Sequence, residues 1–199
     1  MMSYIIFSEV CVYRIMRILH LMAGAAQGGA EAFFERLTTG LHEKSVSQHL
    51  LIRGEPGREA RLKAQGLEVS TAPFWKPYFD LVTHYQINKA LKEFKPDIVM
   101  SWMSRGAAFS PQGDFVTVAR LGGYYNLKYY KNCEYFIGNT QGLREYFLEK
   151  GIPESRAFYL PNFVREDKVA PTSRSTYETP EDAPLLLALG RLHDDKAFD

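Results

Sequence analysis

The segment over residues 17–41 constrains the fold of this chain more than any other. Residues 17–22 form a short and nearly continuous apolar run, which is typical of a strand buried on both faces of a parallel sheet. Gly28 and Gly29 follow, and apolar residues then recur at helical spacing as far as Leu41. This order predicts a strand, a glycine turn and a helix, a unit whose free backbone N–H groups and positive helix end suit a phosphate group. The alternative is that the two glycines only make a tight turn.

The rest of the chain repeats this alternation of strand and helix. Further strands are predicted over residues 46–52, 67–72, 97–102, 115–120, 135–138 and 157–160, and further helices over residues 58–65, 78–94 and 141–150. The pattern indicates an α/β fold, a Rossmann-like parallel sheet with helices on both faces. Since ligands of such sheets bind at the carboxyl ends of the strands, the residues that follow the strands are the first candidates for a site.

Length and composition exclude several classes of protein. A chain of 199 residues can hold one complete α/β domain with little left for a second. Its net charge of +1 argues against a nucleic-acid partner, which needs a broad basic surface. The 2 cysteines and 5 histidines show no metal-ligand spacing, so no metal site is expected, and the few cysteines fit a reducing compartment. No apolar run approaches the roughly 20 residues of a membrane span.

Changes in composition divide the chain into four parts. Residues 1–15 are apolar and aromatic but lack the features of a signal peptide, so we interpret them as an upstream extension. Residues 16–165 form the Rossmann-like domain, and residues 166–183, rich in proline, hydroxyl and charged side chains, form a linker. Residues 184–199 contain another buried-type strand at 185–189 and a loop, which we expect to open a second domain that is truncated at its start.

Motifs in four regions resemble the two-domain GT-B glycosyltransferases of family 4. They are Gly28-Gly29-Ala30-Glu31 after the first strand, Arg120 to Tyr125 with Asn139-Thr140, Pro161-Asn162-Phe163-Val164 before the linker, and Gly190-Arg191-Leu192 followed by Lys196. The second of these regions is similar to the branch that builds lipopolysaccharide and other cell-surface glycans. The resemblance implies that this chain is the N-terminal part of a GT-B enzyme, a retaining hexosyltransferase that acts on a cell-envelope glycan precursor.

In this family two Rossmann-like domains face each other across a cleft, the first holding the acceptor and the second most of the nucleotide-sugar. The resemblance implies that the backbone of Gly28 and Gly29 approaches the donor diphosphate and that Arg191 and Lys196 bind it. Fixed cations and amide dipoles stabilise the charge that develops on a departing nucleoside diphosphate. The resemblance also implies that the reaction needs no metal ion or other cofactor, since the nucleotide-sugar is a substrate. Without the donor domain, the chain is not expected to transfer sugar by itself.

Three departures from the family pattern leave the catalytic residues unknown. Gly122 stands where members often have a histidine that steadies the developing charge, and Lys196 is followed by alanine instead of glycine. The Glu-x7-Glu motif of the second domain has no counterpart. Glu35 and Glu43 have that spacing, but on the outer face of the first helix we expect them to be solvated charges.

Four residues at strand ends are candidates for binding the acceptor: Arg105, Arg120, Gly122 and Asn139. The two arginines suit an anionic acceptor such as a phosphorylated sugar, because a guanidinium binds a phosphate group through paired hydrogen bonds. The alternative is that both arginines form ordinary salt bridges.

Aromatic side chains alternate with lysines in two segments, at residues 75–79 and 124–131. This mixture favours a membrane surface or a glycolipid acceptor, because aromatic rings lie at the level of lipid headgroups and lysines attract anionic lipids. The candidate residues are Trp75, Lys76, Tyr124, Lys128 and Tyr129. The alternative is that the rings pack on the sheet with only their polar tips exposed. We expect a cytoplasmic protein with peripheral contact to the cytoplasmic face of the inner membrane.

Two other functions fit parts of the sequence. The glycines from Gly24 to Gly29 and the pair Tyr124 and Lys128 are similar to the cofactor turn and the Tyr-x3-Lys pair of short-chain dehydrogenases, which are NAD(P)-dependent oxidoreductases. Against this, a third glycine is missing, and Arg53 stands where an acidic residue should end the second strand. The other alternative is a non-catalytic module that binds the acceptor.

Overall fold

The computed structural model describes residues 16–164, 170–177, 179–180, 182–188 and 190. The chain divides after residue 163 into two units. Three predictions concern residues outside the described ranges: the upstream extension at residues 1–15, and Arg191 and Lys196 as residues that bind a diphosphate.

The first unit is built on one parallel sheet of seven strands. The strands are β1 (Arg17–Met22), β2 (Ser47–Arg53), β3 (Glu68–Ala72), β4 (Ile98–Trp102), β5 (Val116–Leu121), β6 (Tyr135–Gly138) and β7 (Ala157–Tyr159). Their order is β3-β2-β1-β4-β5-β6-β7, and every neighbouring pair is parallel. The predicted α/β class is confirmed, and each strand lies within one residue of its predicted bounds. The strand order reverses between β1 and β4, so the loops after these two strands meet at a topological switch point.

Five α-helices connect the strands within the described part of this unit. They are α1 (Gly29–Glu43), α2 (Pro56–Ala64), α3 (Leu81–Phe94), α4 (Met103–Ala107) and α5 (Gln141–Glu149), joined by 3-10 helices at Leu127–Tyr130 and Glu154–Arg156. Helix α3 begins three residues later than predicted, because the Asp80 side chain accepts a hydrogen bond from the Thr83 N–H and caps it there. The short helix α4 was not predicted, since one turn gives no apolar periodicity.

The apolar side chains form clusters on both faces of the sheet. On one face α1 contributes Phe33 and Phe34, which pack with Met22, Leu50 and Trp102 from the strands. On the other face Ile87 and Ala90 of α3 cover Leu19, Leu21 and Val99. Full burial of a valine, leucine, isoleucine, methionine or phenylalanine side chain stabilises the fold by about 1.5–3 kcal/mol relative to leaving it exposed.

A third cluster covers β5 and β6 with α5. It includes Cys133, a free thiol with 9% of its surface exposed. Burial raises the pKa of the Cys133 thiol to about 11, so the thiol stays protonated at neutral pH.

The second unit starts at Val164, and the regular structure in its described part is a 3-10 helix at Arg174–Tyr177. A strand was predicted at residues 185–189, yet residues 184–188 form no strand, and residue 189 lies outside the described residues. A strand needs a neighbouring strand for its backbone hydrogen bonds, and none of the described residues of this unit forms one. The assignment of residues 166–183 as a linker and 184–199 as the start of a donor domain remains a prediction.

No helix in the described ranges combines the length and the apolar character that crossing a bilayer requires.

Candidate functional site

The turn between β1 and α1 contains a carboxylate of its own. The side chain of Glu31, on the first turn of α1, folds back so that its Oε1 accepts a hydrogen bond from the Ala25 N–H at 2.7 Å. A Cβ on Gly28 would lie 2.2 Å from Glu31 Oε2, and a Cβ on Gly24 would lie 2.6 Å from Oε1. Gly29 is different, since nothing lies within 4 Å of the position of its Cβ. Gly24 and Gly28 therefore make room for the Glu31 carboxylate, and Gly29 borders open space.

A buried arginine from α2 forms hydrogen bonds with the backbone of the same turn. The guanidinium of Arg58 donates hydrogen bonds to the carbonyl oxygens of Ala25 at 2.7 Å and Ala26 at 3.1 Å. Its Nε donates to Glu35 Oε1 at 3.2 Å, and Arg61 also donates to this carboxylate. The glycine turn is thus fixed by an ionic network between α1 and α2.

The prediction that Glu35 is a solvated charge is wrong, because this network covers it. Partial burial opposes ionisation of Glu35, but hydrogen bonds and the charges of Arg61 and Arg58 outweigh it and lower the pKa of the carboxyl group. The partners come from a neighbouring helix, so the spacing of residues on α1 alone could not reveal them.

Arg120, at the carboxyl end of β5, is buried and faces the core. Its guanidinium lies over the Phe33 ring, 4.6 Å from the ring centre, and 5.9 Å from the centre of the Trp102 ring. It donates hydrogen bonds to Leu160 and Asn162, in the segment that follows β7. Burial lowers the pKa of Arg120 to about 10, which leaves the side chain charged at neutral pH. These contacts hold Arg120 within the fold. Arg105, the other arginine predicted to bind the acceptor, is exposed instead.

A cavity of about 810 Å³ opens at the carboxyl edge of the sheet, between the loop after β3 and the 3-10 helix at Leu127–Tyr130. Its lining contains residues from two sets of candidates that were predicted separately. Arg105 was predicted to bind the acceptor, and Trp75, Lys128 and Tyr129 were predicted to contact a membrane or glycolipid. The lining further includes Tyr78, His84, Ser104, Lys131 and Asn132, and within the described part of the chain it includes no aspartate or glutamate. We call this cavity the basic aromatic pocket.

The walls of the basic aromatic pocket are held by specific local contacts. The Ser104 and Tyr130 hydroxyl groups share a hydrogen bond of 3.2 Å, which ties α4 to the 3-10 helix. The Asn126 side chain accepts a hydrogen bond from the Lys128 N–H at 3.0 Å and caps that 3-10 helix. Asn132 donates to the Ser110 carbonyl at 2.8 Å. The elements that carry Arg105 and Lys128 are therefore fixed against each other.

Two residues beside the pocket have left-handed backbone conformations, Phe74 with φ 49° and Met103 with φ 56°. Phe74 directly precedes Trp75, and Met103 directly precedes Ser104. Each such conformation costs a non-glycine residue about 1–3 kcal/mol, and residues of this kind cluster at functional sites. Backbone strain thus lies on both sides of the pocket.

The remaining candidates lie outside the pocket lining. Gly122 and Asn139 are neighbours, with Asn139 Nδ2 3.6 Å from the position of a Gly122 Cβ. The Tyr124 ring packs against Tyr146 at 5.4 Å between ring centres. Lys76 Nζ lies 5.7 Å from the centre of the Trp75 ring, which lines the pocket.

His20 on β1 is a buried polar residue that the sequence analysis left without a role. Its Nδ1 accepts a hydrogen bond from Trp102 Nε1 at 3.2 Å, and its ring packs edge-on against Phe34. Burial lowers the pKa of His20 to about 3, so the imidazole is neutral at physiological pH. The hydrogen bond from Trp102 to His20 orients the Trp102 side chain near the point between β1 and β4 where the strand order reverses.

Sequence reasoning missed Glu31 as the occupant of the glycine turn, and Tyr78 and Lys131 as part of the pocket. Lys131 belongs to the alternating segment at residues 124–131, a signal that could have included it. Among the residues that the structure describes, no three histidine, cysteine, aspartate or glutamate side chains come together as a metal site would require.

Comparisons with known proteins identify relatives of this chain. The family model described as Glycosyltransferase Family 4 matches residues 27–168. The lipopolysaccharide core biosynthesis glycosyltransferase LpsD of Rhizobium meliloti (strain 1021) is 32% identical over 187 residues, which are 92% of this chain and 53% of LpsD. The chain therefore spans about half the length of the curated relatives that it matches.

Solved structures show the same fold. A glycosyltransferase from Rickettsia africae ESF-5 aligns with a TM-score of 0.68 and 16% identity over 86% of this chain and 52% of that protein. Anabaena HepE, crystallised with UDP and glucose, aligns with a TM-score of 0.57 and 13% identity over 74% of this chain and 44% of that protein. The prediction of a GT-B type Rossmann-like domain is confirmed, and the dehydrogenase alternative is set aside.

Proposed function

Because this chain belongs to glycosyltransferase family 4, we propose that it is the acceptor-side half of an enzyme that transfers a sugar from a nucleotide-sugar to a lipopolysaccharide core acceptor. LpsD and a second relative from the same organism, LpsE, are glycosyltransferases of lipopolysaccharide core biosynthesis, and HepE was crystallised with UDP. The observation that carries the proposal for this chain is the basic aromatic pocket at the carboxyl edge of the sheet, where ligands of such sheets bind.

The glycine turn is our proposed point of approach for the donor diphosphate. Glu31 fills the space beside Gly28, whereas Gly29 borders open space at the start of α1. A diphosphate is repelled by the Glu31 carboxylate and attracted by the N-terminus of a helix of 15 residues. We therefore propose that a diphosphate approaches the Gly29 side of the turn.

The reaction we propose is a retaining hexosyl transfer without a metal ion. Departure of the nucleoside diphosphate builds negative charge, and fixed cations with backbone amides stabilise that charge in the transition state. No side chain of this chain is assigned a catalytic role, because Gly122 stands where the resemblance to the family implies a histidine that steadies the developing charge.

A membrane surface is part of the same proposal. The loop after β3 and the first two turns of α3 expose a set of large apolar side chains, which we call the apolar face: Trp75, Tyr78, Phe79, Leu81, Val82 and Tyr85. Tyr78 is 94% exposed and Phe79 72%, which excludes packing on the sheet for these rings. Lys76 lies beside them. We propose that the apolar face contacts the cytoplasmic leaflet of the inner membrane, in a protein that is otherwise cytoplasmic.

The test of the proposed function is a titration of this chain with lipopolysaccharide core oligosaccharide, followed by NMR. We expect resonances of pocket residues to shift and the affinity to fall in Trp75→Ala, while Tyr159→Ala, an exposed ring outside the pocket lining, serves as control. Mixed with a UDP-sugar and the acceptor, the chain alone should show binding and no transfer. Absence of oligosaccharide binding would overturn the proposal.

A further inference from the structure

The basic aromatic pocket has an unusual balance of charge. Arg105, Lys128 and Lys131 all line it, and no aspartate or glutamate among the described residues does. The whole chain carries 24 basic and 23 acidic residues, so an even mixture of charges would be ordinary for its surface. A site lined by one sign of charge concentrates ions of the opposite sign.

Among the residues that the structure describes, none of the three cations has an acidic partner. The ion pairs recorded for the described residues involve Glu35, Glu59, Glu68 and Glu154, and their basic partners are Arg58, Arg61, Lys63, His49 and Arg144. None of these pairs includes Arg105, Lys128 or Lys131. Lys128 Nζ lies 5.0 Å from the centre of the Tyr129 ring, a contact that leaves the ammonium free to bind an anion. The alternative that Arg105 forms an ordinary salt bridge is therefore not supported.

The backbone that carries Arg105 and Lys128 is fixed by the fold. Arg105 is on α4, two residues after the strained Met103, and Lys128 is on the capped 3-10 helix. The hydrogen bond between Ser104 and Tyr130 joins the two elements. Because these two backbone elements are fixed against each other, binding an anion between Arg105 and Lys128 requires ordering of the side chains but no rearrangement of the backbone.

From these observations we infer that the acceptor sugar bound in the basic aromatic pocket carries a phosphate or carboxylate group. The inference rests on the proposed function and names its substrate class. The Arg105 guanidinium can bind either group through two parallel hydrogen bonds, and Lys128 and Lys131 supply further charge. The rings of Trp75, Tyr78 and Tyr129 offer apolar surface for the sugar ring itself.

The test uses the whole chain of 199 residues and four probes followed by NMR: glucose 6-phosphate, glucuronate, glucose and inorganic phosphate. We expect both charged sugars to bind about tenfold or more tightly than glucose, because hydrogen bonds to charged groups are the strong ones. Inorganic phosphate should bind more weakly than glucose 6-phosphate, since it has no sugar ring to contact the aromatic side chains.

Matched variants separate a specific site from general attraction. Arg105→Gln should weaken binding of the charged sugars about tenfold. Lys89→Gln removes the same charge from an exposed position of α3 outside the pocket lining and should leave binding unchanged. Equal affinities for glucose and glucuronate, or equal effects of the two variants, would overturn the inference. If inorganic phosphate binds as tightly as glucose 6-phosphate, the part of the inference that places a sugar ring against the aromatic side chains is overturned.

The titration with core oligosaccharide distinguishes this inference from the proposed function. If the oligosaccharide binds in the pocket, but neither the charge of the sugar nor the Arg105→Gln substitution changes the affinity, the inference fails and the proposed function stands. If the oligosaccharide does not bind, the proposed function fails as well.

Discussion

Arg120 Nη2 donates a hydrogen bond of 2.7 Å to Asn162 Oδ1, and so joins the carboxyl end of β5 to the segment after β7. A second bond of 3.1 Å runs from Nη1 to the Leu160 carbonyl. Asn162 belongs to the Pro161–Val164 motif, and its neighbour Phe163 packs edge-on against Phe33, the ring beneath Arg120. Arg120 is thus a positioning residue for the end of the first unit.

Arg120→Ala should destabilise the chain by about 2–4 kcal/mol, because it removes two charge-assisted hydrogen bonds and leaves a cavity over Phe33. Urea unfolding followed by tryptophan fluorescence measures the change. Arg105→Ala is the control, since the exposed Arg105 should change the free energy of unfolding by less than about 0.5 kcal/mol. Equal losses in the two variants would contradict the assigned role of Arg120.

His20 should make stability fall in mild acid. Its pKa is about 3 in the folded chain and about 6.5 when unfolded. Between these values the unfolded chain binds one proton more than the folded chain, so the free energy of unfolding decreases as the pH falls. The contribution of this one group is about 2 kcal/mol between about pH 7.5 and about pH 5.

The measurement is urea unfolding of the parent chain and of His20→Leu at both pH values. His20→Leu loses its hydrogen bond to Trp102 and should be less stable at neutral pH, but its stability should decline less on acidification. Parallel declines would show that His20 does not cause the pH dependence.

Gly28→Ala and Gly29→Ala form a matched pair in the glycine turn. The new Cβ at residue 28 would meet the carboxylate end of the flexible Glu31 side chain and displace it from the exposed Ala25 N–H, so we expect a loss of about 0.5–1.5 kcal/mol, the net value of that hydrogen bond. The Cβ at residue 29 meets no atom, and Gly29→Ala should be neutral or stabilising by up to about 1 kcal/mol, because alanine favours the helix.

A double-mutant cycle checks the cause. When Glu31→Ala is already present, Gly28→Ala should cost little, because the colliding carboxylate is gone. A loss that persists in that background would show that Gly28 is needed for another reason.

The apolar face should bind anionic vesicles. In sedimentation with vesicles of phosphatidylglycerol and phosphatidylethanolamine, Trp75→Ala combined with Phe79→Ala should weaken binding at least about tenfold, since each ring removes about 1.5–3 kcal/mol of burial. Lys128→Ala added to this pair tests the contribution of charge, and high salt should weaken binding further. Binding that is equal in the parent chain and in the double variant would refute the membrane contact.

The sheet could be predicted from the sequence because each buried strand is a local apolar run. The strands at residues 17–22 and 98–102 can each be predicted from their own residues. The glycine turn after β1 then indicates the edge of the sheet where ligands bind. The exposure of Trp75 is a different matter, because Phe74 lies between the same two prolines and is fully buried.

The composition of the candidate site could not be predicted, because it depends on contacts between distant segments. Arg105 and Lys128 share the pocket with Trp75 only once the loop after β3 has reached α4. Arg120 has the same residue type and the same place at a strand end as Arg105, yet one is buried against Phe33 and the other is exposed. No local pattern distinguishes two such arginines.

The buried thiol of Cys133 has a practical consequence for spectroscopy. Since this cysteine is inaccessible and protonated, reagents that need a thiolate should leave it unmodified in the native chain. Once Cys11 has been replaced, a cysteine introduced by Tyr78→Cys at the pocket rim would take up a fluorophore or spin label selectively. Such a label would report occupancy of the pocket and immersion in a bilayer as separate signals.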